Sequence, residues 1–171
     1  MSSVLRMLRP NLKRLRKTLV WLQEQETLPD GFGFDLWYWR KESSCGTLMC
    51  LAGWYVEQNP DCGLVFAQEL LNTYYLRPGD WTEEQMQGTR LGEILADHFG
   101  IPRRISRELF TADGYLDLES TDRKLVAQRC LERVDWLLEQ ADRLPAITDD
   151  ALLTGWDLFR DKQDRQHAQE V

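Results

Sequence analysis

Ser43-Ser44-Cys45-Gly46-Thr47-Leu48-Met49-Cys50-Leu51-Ala52-Gly53-Trp54-Tyr55-Val56-Glu57-Gln58 is the stretch that decides the fold. Its first five residues read as a tight turn, with Ser44 or Thr47 placed to accept from the free N–H groups of a helix start. From Leu48 to Gln58 the chain is largely apolar, which predicts a short buried helix ended by Pro60. Just upstream, residues 32–40 read Phe-Gly-Phe-Asp-Leu-Trp-Tyr-Trp-Arg and suit a short strand or an ordered loop. Just downstream, Leu64–Asn72 reads as a further short apolar helix.

Helical spacing continues away from this centre. Leu12, Leu15, Leu19 and Leu22 mark an amphipathic helix over residues 11–26, with Pro10 near its start. Thr82 with Gln85 resembles a capping box that opens a polar helix. Leu91–Phe99 has one apolar face and stops at Gly100, and Pro102 starts a brief helix to Phe110. Thr121 or Asp122 caps the longest helix, whose face is Ala127, Cys130, Leu131, Val134, Leu137, Leu138 and Ala141. Thr148, followed by Asp149 and Asp150, caps a last helix carrying Leu152, Leu153, Trp156 and Phe159. The expected fold class is therefore mainly α: a single domain over residues 1–171 with seven or eight short helices. Residues 1–10 and 161–171 are expected to fray, with room for a small β element only near residues 32–40 or 114–118.

Composition excludes several classes. At 171 residues, 43% hydrophobic and 29% charged, the chain matches an ordinary globular domain. Four cysteines are too few for a disulfide framework. No apolar run approaches the roughly 20 residues of a membrane span. Lys and Arg interrupt every apolar stretch near the start, so no signal-peptide core is visible and the cytoplasm is the expected location. The net charge is −7: six basic residues against two acidic ones give residues 1–26 a local +4, leaving −11 on the rest. An acidic body repels nucleic acid at long range and attracts a partner with a basic surface.

The residues that could carry chemistry are few. Cys45 and Cys50 flank a predicted helix start, where the dipole lowers a thiol pKa, and Cys62 and His98 are the further candidates for a thiol or metal site. One C-x4-C spacing falls short of the two tight ligand pairs of structural zinc, and buried structural thiols explain the same residues. Leu95–Leu109, helix-glycine-helix with Arg103, Arg104 and Arg107 on the second helix, has the outline of a helix-turn-helix, against which stands the acidic whole. A nucleic-acid binder using residues 6–17 or Arg103–Arg107 is thus an alternative. The carboxylates of residues 113–119 lack EF-hand spacing, and no phosphate loop, HExxH or GxSxG occurs. Seven tryptophans, with Trp37, Trp39 and Trp54 close in sequence, suit either a core or a contact patch.

Cys45-Gly46-Thr47-Leu48-Met49-Cys50-Leu51-Ala52-Gly53-Trp54 resembles the Cys-Gly-Thr-x-x-Cys-x-Ala-Gly-Trp signature of an uncharacterised group of small bacterial and phage proteins. Phe34-Asp35-Leu36-Trp37, Gly100-Ile101 and Leu109-Phe110 fit that group more loosely. The resemblance implies a bacterial or mobile-element origin and brings no catalytic residue. In the motif itself, Gly46 permits positive φ, Thr47 caps the helix, Ala52 and Gly53 admit a close neighbour, and Trp54 fills the space beside them. The expectation is a non-catalytic regulator or inhibitor without a cofactor, which binds a macromolecule through Trp37, Trp39, Asp149, Asp150 and Asp157. An enzyme or metal protein centred on Cys45 and Cys50 is the alternative.

Overall fold

The structure is a computed structural model that describes residues 4–5, 7–70, 72–82, 85, 91–119, 121–143 and 147–168. Chain order is β1 (Val4–Leu5), α1 (Arg9–Glu24), β2 (Phe32–Phe34), β3 (Arg40–Ser43), β4 (Gly46–Met49), α2 (Leu51–Gln58), β5 (Leu64–Leu70) and β6 (Thr73–Pro78). There follow α3 (Leu91–Phe99), α4 (Arg103–Phe110), a 3-10 turn (Ala112–Tyr115), α5 (Arg123–Arg143), β7 (Ile147–Thr148) and α6 (Asp149–Ala168).

The mainly α expectation of seven or eight helices is thereby corrected. Among the described residues, six α-helices accompany a five-stranded mixed sheet of order β2-β4-β3-β6-β5, which makes the fold α/β. The misreading lies in three places. Leu64–Leu70, inside the expected helix over 64–72, is strand β5, because Thr73-Tyr74-Tyr75-Leu76 beyond Asn72 is a strong strand former and pairs with it antiparallel, Phe66 opposite Leu76 and Gln68 opposite Tyr74. A short apolar run carries no periodicity that would separate the two readings. Gly46–Met49 is likewise a strand: β4 pairs parallel with β2, Gly33 opposite Leu48, and antiparallel with β3, Lys41 opposite Leu48. Thr47 therefore sits in a ladder instead of capping a helix, and α2 begins only at Leu51. Around residues 32–40 the expected β element is present as β2 and the start of β3, whereas residues 114–118 hold no strand. There the Asp113-Gly114 turn tightens into a 3-10 turn whose Tyr115 hydroxyl donates to the Leu109 carbonyl at 2.8 Å.

The helices otherwise begin and end where the sequence places them, within a residue or two. Asp122 caps α5 by accepting from Leu125 N, and Thr148 caps α6 by accepting from Ala151 N. Thr82 and Gln85 bond reciprocally as a capping box; the helix that they would open lies outside the described residues. At the two ends, α6 runs on to Ala168 and Val4–Leu5 pairs with Ile147–Thr148. The polar end of α6 is held because Gln163 is buried against α5, donating to the Arg129 carbonyl and to Glu132.

One hydrophobic core joins the sheet to the helices. α1 lies along α5 and also touches α2 and α3, burying Leu12, Leu15, Leu19 and Leu22 completely. Val134 and Leu137 of α5 are likewise fully buried, while Leu131 and Leu138 are only partly so.

Two glycines fix how the sheet meets α2. Gly46 has φ of +125°, and a methyl there would overlap the Gly31 carbonyl, which accepts from Thr47 N at 2.7 Å. A methyl on Gly53 would overlap the Trp39 carbonyl, because the 37–39 backbone lies directly on α2, where Cys50 N donates to the Tyr38 carbonyl at 2.7 Å. Trp54 beside it is 2% exposed and packs on Trp21 and Phe32. Gly53→Ala is thus expected to destabilise by about 1–3 kcal/mol as forced overpacking. Gly92→Ala, in a helix with nothing within 4 Å of the added carbon, should be neutral or stabilising. Denaturant melts of the two variants check this contrast; equal effects would remove the close approach as the cause.

Candidate functional site

The loop from Asp35 to Trp39 presents the two tryptophans of interest, and its hydrogen bonds make it rigid. Asp35 N donates to the Met49 carbonyl, Trp37 N to Asp35 Oδ1 at 3.0 Å, and Tyr38 N to the Asp35 carbonyl. The sheet edge and the start of α2 are thus both tied to this loop. Trp37 is 70% exposed, and Leu48 on β4 is also exposed. Tyr38 lies under the Lys41 ammonium, 4.4 Å from ring centre to nitrogen. Trp39 points a different way. It is half-buried and lines a groove of about 570 Å³ together with Gly92 and Glu93 of α3 and with α4, where Arg103, Arg107 and Thr111 fall on one helical stripe and Arg104 beside them. The sequence reading treated the tryptophans and the α4 arginines as unrelated features; the fold brings Trp39 and those arginines to one groove.

Each of these arginines has a carboxylate nearby. Arg103 pairs with Glu93 of α3 at 2.8 Å, and Arg107 stands 3.7 Å from Asp113. Arg104 is held more firmly, between Glu108 at 3.1 Å and Asp157 of α6, and these bonds raise its pKa.

Glu108 is the centre of a further network that the sequence did not reveal. Its carboxylate accepts from Trp156 Nε1 at 2.7 Å, Arg160 at 2.6 Å and Arg104 at 3.1 Å. Its carbonyl accepts from Arg133 at 3.1 Å. Arg133 is 0% exposed, donates also to Gln163 at 2.9 Å, and lies 4.6 Å from the Tyr115 ring centre. Arg129, one turn earlier, is buried too and pairs with Asp117, whose carboxyl is held below its usual range by that guanidinium against the opposing effect of desolvation. Burial lowers the Arg160 pKa, and Arg133 acts in the same direction. Alternation of Arg129 and Arg133 with apolar residues on one helix was the available signal, but sequence gives no reason to bury an arginine without seeing its partners.

The acidic candidates are distributed along α6. Asp149 and Asp150 occupy its first turn, where the helix dipole favours them. Asp157 is two turns from Asp150 on the same side and is committed to Arg104. Between α4 and α6 runs a small cleft in which the carboxylates of Glu108, Asp113, Asp157, Asp161 and Asp164 outnumber the guanidiniums of Arg104, Arg107 and Arg160. The basic first helix carries ion pairs of its own at the surface: Arg9 with Asp142, Arg14 with Asp61 at 3.0 Å and Arg16 with Asp135 at 2.6 Å. Arg6 lies outside the described residues.

The thiol candidates are not brought together. Cys45 is exposed on the β3–β4 turn, while Cys50 is buried at the start of α2. Strand β4 separates them, about 16 Å at the rise of an extended chain, so one ion cannot bind both. A helix start can lower the pKa of a thiol beside it. Burial instead pushes that of Cys50 up to about 11, overcoming the pull of the Gly53 and Ala52 amides. Cys62 is half-buried and also raised by desolvation, with its thiol 3.9 Å from the Leu64 carbonyl. All four cysteines are free, and no group of three or more His, Cys, Asp or Glu side chains among the described residues could hold a metal ion. No helix among the described residues is long and apolar enough to cross a membrane.

His98 has a structural role near Cys62. Its Nε2 is 2.8 Å from the Tyr55 hydroxyl, and its carbonyl accepts from Asn11 at 2.7 Å. Burial, aided by Arg14, lowers its pKa to about 4, so the imidazole is neutral at physiological pH and shares a single hydrogen bond with the Tyr55 hydroxyl. No family model, no curated protein and no solved structure matches this chain.

Two outcomes are expected. Glu108→Ala should cost about 3–5 kcal/mol, because it leaves Arg160 and the Trp156 N–H without their acceptor in a partly buried setting; thermal or denaturant unfolding measures it. For His98, the folded pKa lies below the unfolded 6.5. Its contribution to stability is therefore full above about pH 6.5 and is lost as the pH falls towards 4, since only the unfolded chain takes up the proton readily. His98→Gln should flatten stability between those pH values relative to the natural chain; parallel slopes in both would refute it.

Proposed function

We propose that this protein is a non-catalytic binding module, a regulator or inhibitor that acts in the cytoplasm on a protein partner with a basic surface. One observation carries the reading: Trp37 is 70% exposed yet stands on a loop whose backbone is hydrogen-bonded to β4 and α2. A large aromatic held rigidly in water is the kind of residue that anchors an interface, since little freedom is lost when it docks. The carboxylate excess between α4 and α6 supplies a field that steers a basic partner. The resemblance of Cys45–Trp54 to the bacterial and phage signature supports a mobile-element origin, in which such a module would act on a host protein.

The motif residues themselves serve architecture in this reading. Gly46 and Gly53 hold the loop against α2, and Cys50 is buried, so Trp37 is positioned by the motif without belonging to it.

Trp37→Ala should leave folding within about 0.5 kcal/mol, as an exposed substitution. It should weaken partner binding by about 2 kcal/mol or more, roughly 30-fold. Affinity capture from the native host with both chains, followed by binding kinetics at low and high salt, tests this. The expected result is a captured protein lost with Trp37→Ala, whose on-rate falls as salt rises. A partner retained by the variant with unchanged affinity would refute the reading.

A further inference from the structure

We propose that the groove between Trp39 and α4 is a binding site for a nucleoside phosphate, separate from the Trp37 face. The groove, about 570 Å³, is of the size that small-molecule sites usually have. Its lining combines two chemistries. Trp39 supplies a flat aromatic surface that is half-buried and therefore fixed, and on such a surface a purine or pyrimidine ring stacks. In the same groove, Arg103 and Arg107 lie one turn apart on one stripe of α4, with Thr111 a further turn on. Guanidiniums at that spacing can each present paired N–H donors to phosphate oxygens.

Arg103 and Arg107 are also free to change partners. They are 72% and 66% exposed, against 24% for Glu93 and 60% for Asp113. The Arg107–Asp113 pair, at 3.7 Å, is loose, and exposed ion pairs hold weakly, so a phosphate carrying more charge than one carboxylate can displace them. Arg104 stays behind as a support, because its bonds to Glu108 and Asp157 tie it to α6. Glu93 is the acidic group in the groove, and its place beside Arg103 sets the end at which the phosphates do not sit before that pair opens.

Charge selects the size of the ligand. The chain carries −7, and the carboxylate-rich cleft lies just beyond Arg104 and Arg107. A long nucleic acid would extend its phosphates past the groove into that field and be repelled, whereas the few charges of a mononucleotide remain beside the arginines.

The test is calorimetric titration of the intact protein with ATP, inorganic phosphate, adenosine and a twelve-residue oligothymidylate, alongside tryptophan fluorescence. ATP should bind with quenching of fluorescence, at least tenfold more tightly than phosphate or adenosine alone. Arg103→Gln with Arg107→Gln, both at exposed positions, should weaken ATP at least tenfold while circular dichroism and the melting curve stay unchanged. Trp39→Leu should remove the quenching; should that variant fold poorly, Trp39→Phe, with a smaller ring, should bind ATP more weakly than the natural chain and adenosine hardly at all. Absence of ATP binding at millimolar concentration, or binding indifferent to both arginines, overturns the proposal. So does phosphate binding as tightly as ATP, or oligothymidylate binding more tightly than either. None of these outcomes bears on capture of a partner through Trp37.

Discussion

Everything on the sheet side of the molecule depends on one close approach, that of the Trp39 carbonyl to the bare α-carbon of Gly53. Because Gly53 has no side chain, the loop from Asp35 to Trp39 lies on the first turn of α2 and receives the Cys50 N–H. The same loop joins β2 to β3, and β4 lies between those strands with parallel pairing on one side and antiparallel on the other. It also sorts the tryptophans. A loop bound at its backbone on both sides turns Trp37 outwards and Trp39 towards α4, so a single backbone contact gives the protein two faces of different chemistry.

On the helical side the comparable centre is Glu108. It gathers Trp156, Arg160 and Arg104 at its carboxylate and Arg133 at its carbonyl, so α4, α5 and α6 meet around one residue. A buried polar network of this kind adds little net energy over an apolar core, and it ties the three helices to one another through a shared acceptor. The same network holds α4 in place beneath the groove, with Arg104 fastened on the α6 side while Arg103 and Arg107 remain in solvent.

How much of this was legible in the sequence depends on the range of the forces involved. Helix starts and stops were legible, because caps such as Asp122 and Thr148 act within one turn. The leucine face of α1 and the glycine motif were legible for the same reason, down to the neighbour that Gly53 must admit. The sheet was not. Leu64–Leu70 becomes a strand only through its partner, and the place of β4 depends on Phe32–Phe34, some fifteen positions earlier. Nor could the sequence show that Arg129 and Arg133 are buried or that Cys50 is too deep to ionise, since both follow from what surrounds them. Of the candidate site, Trp37 and Trp39 could be named, but their separation into two faces, and the meeting of Trp39 with Arg103 and Arg107, appear only in three dimensions.

The small ribbon of Val4–Leu5 with Ile147–Thr148 bears on the order in which the molecule assembles. Closing it joins residues more than 140 positions apart for the reward of two short pairings, so its loop-closure entropy is high and its enthalpy small. It can form only after α1 has settled along α5, which brings the two chain segments together at the Arg9–Ala141 contact. The ribbon is accordingly a late clasp, and it is the first joint to part when the protein is pulled from its ends. Its release would free the start of α6 while Gln163, about four turns further along, still holds the rest of that helix on α5.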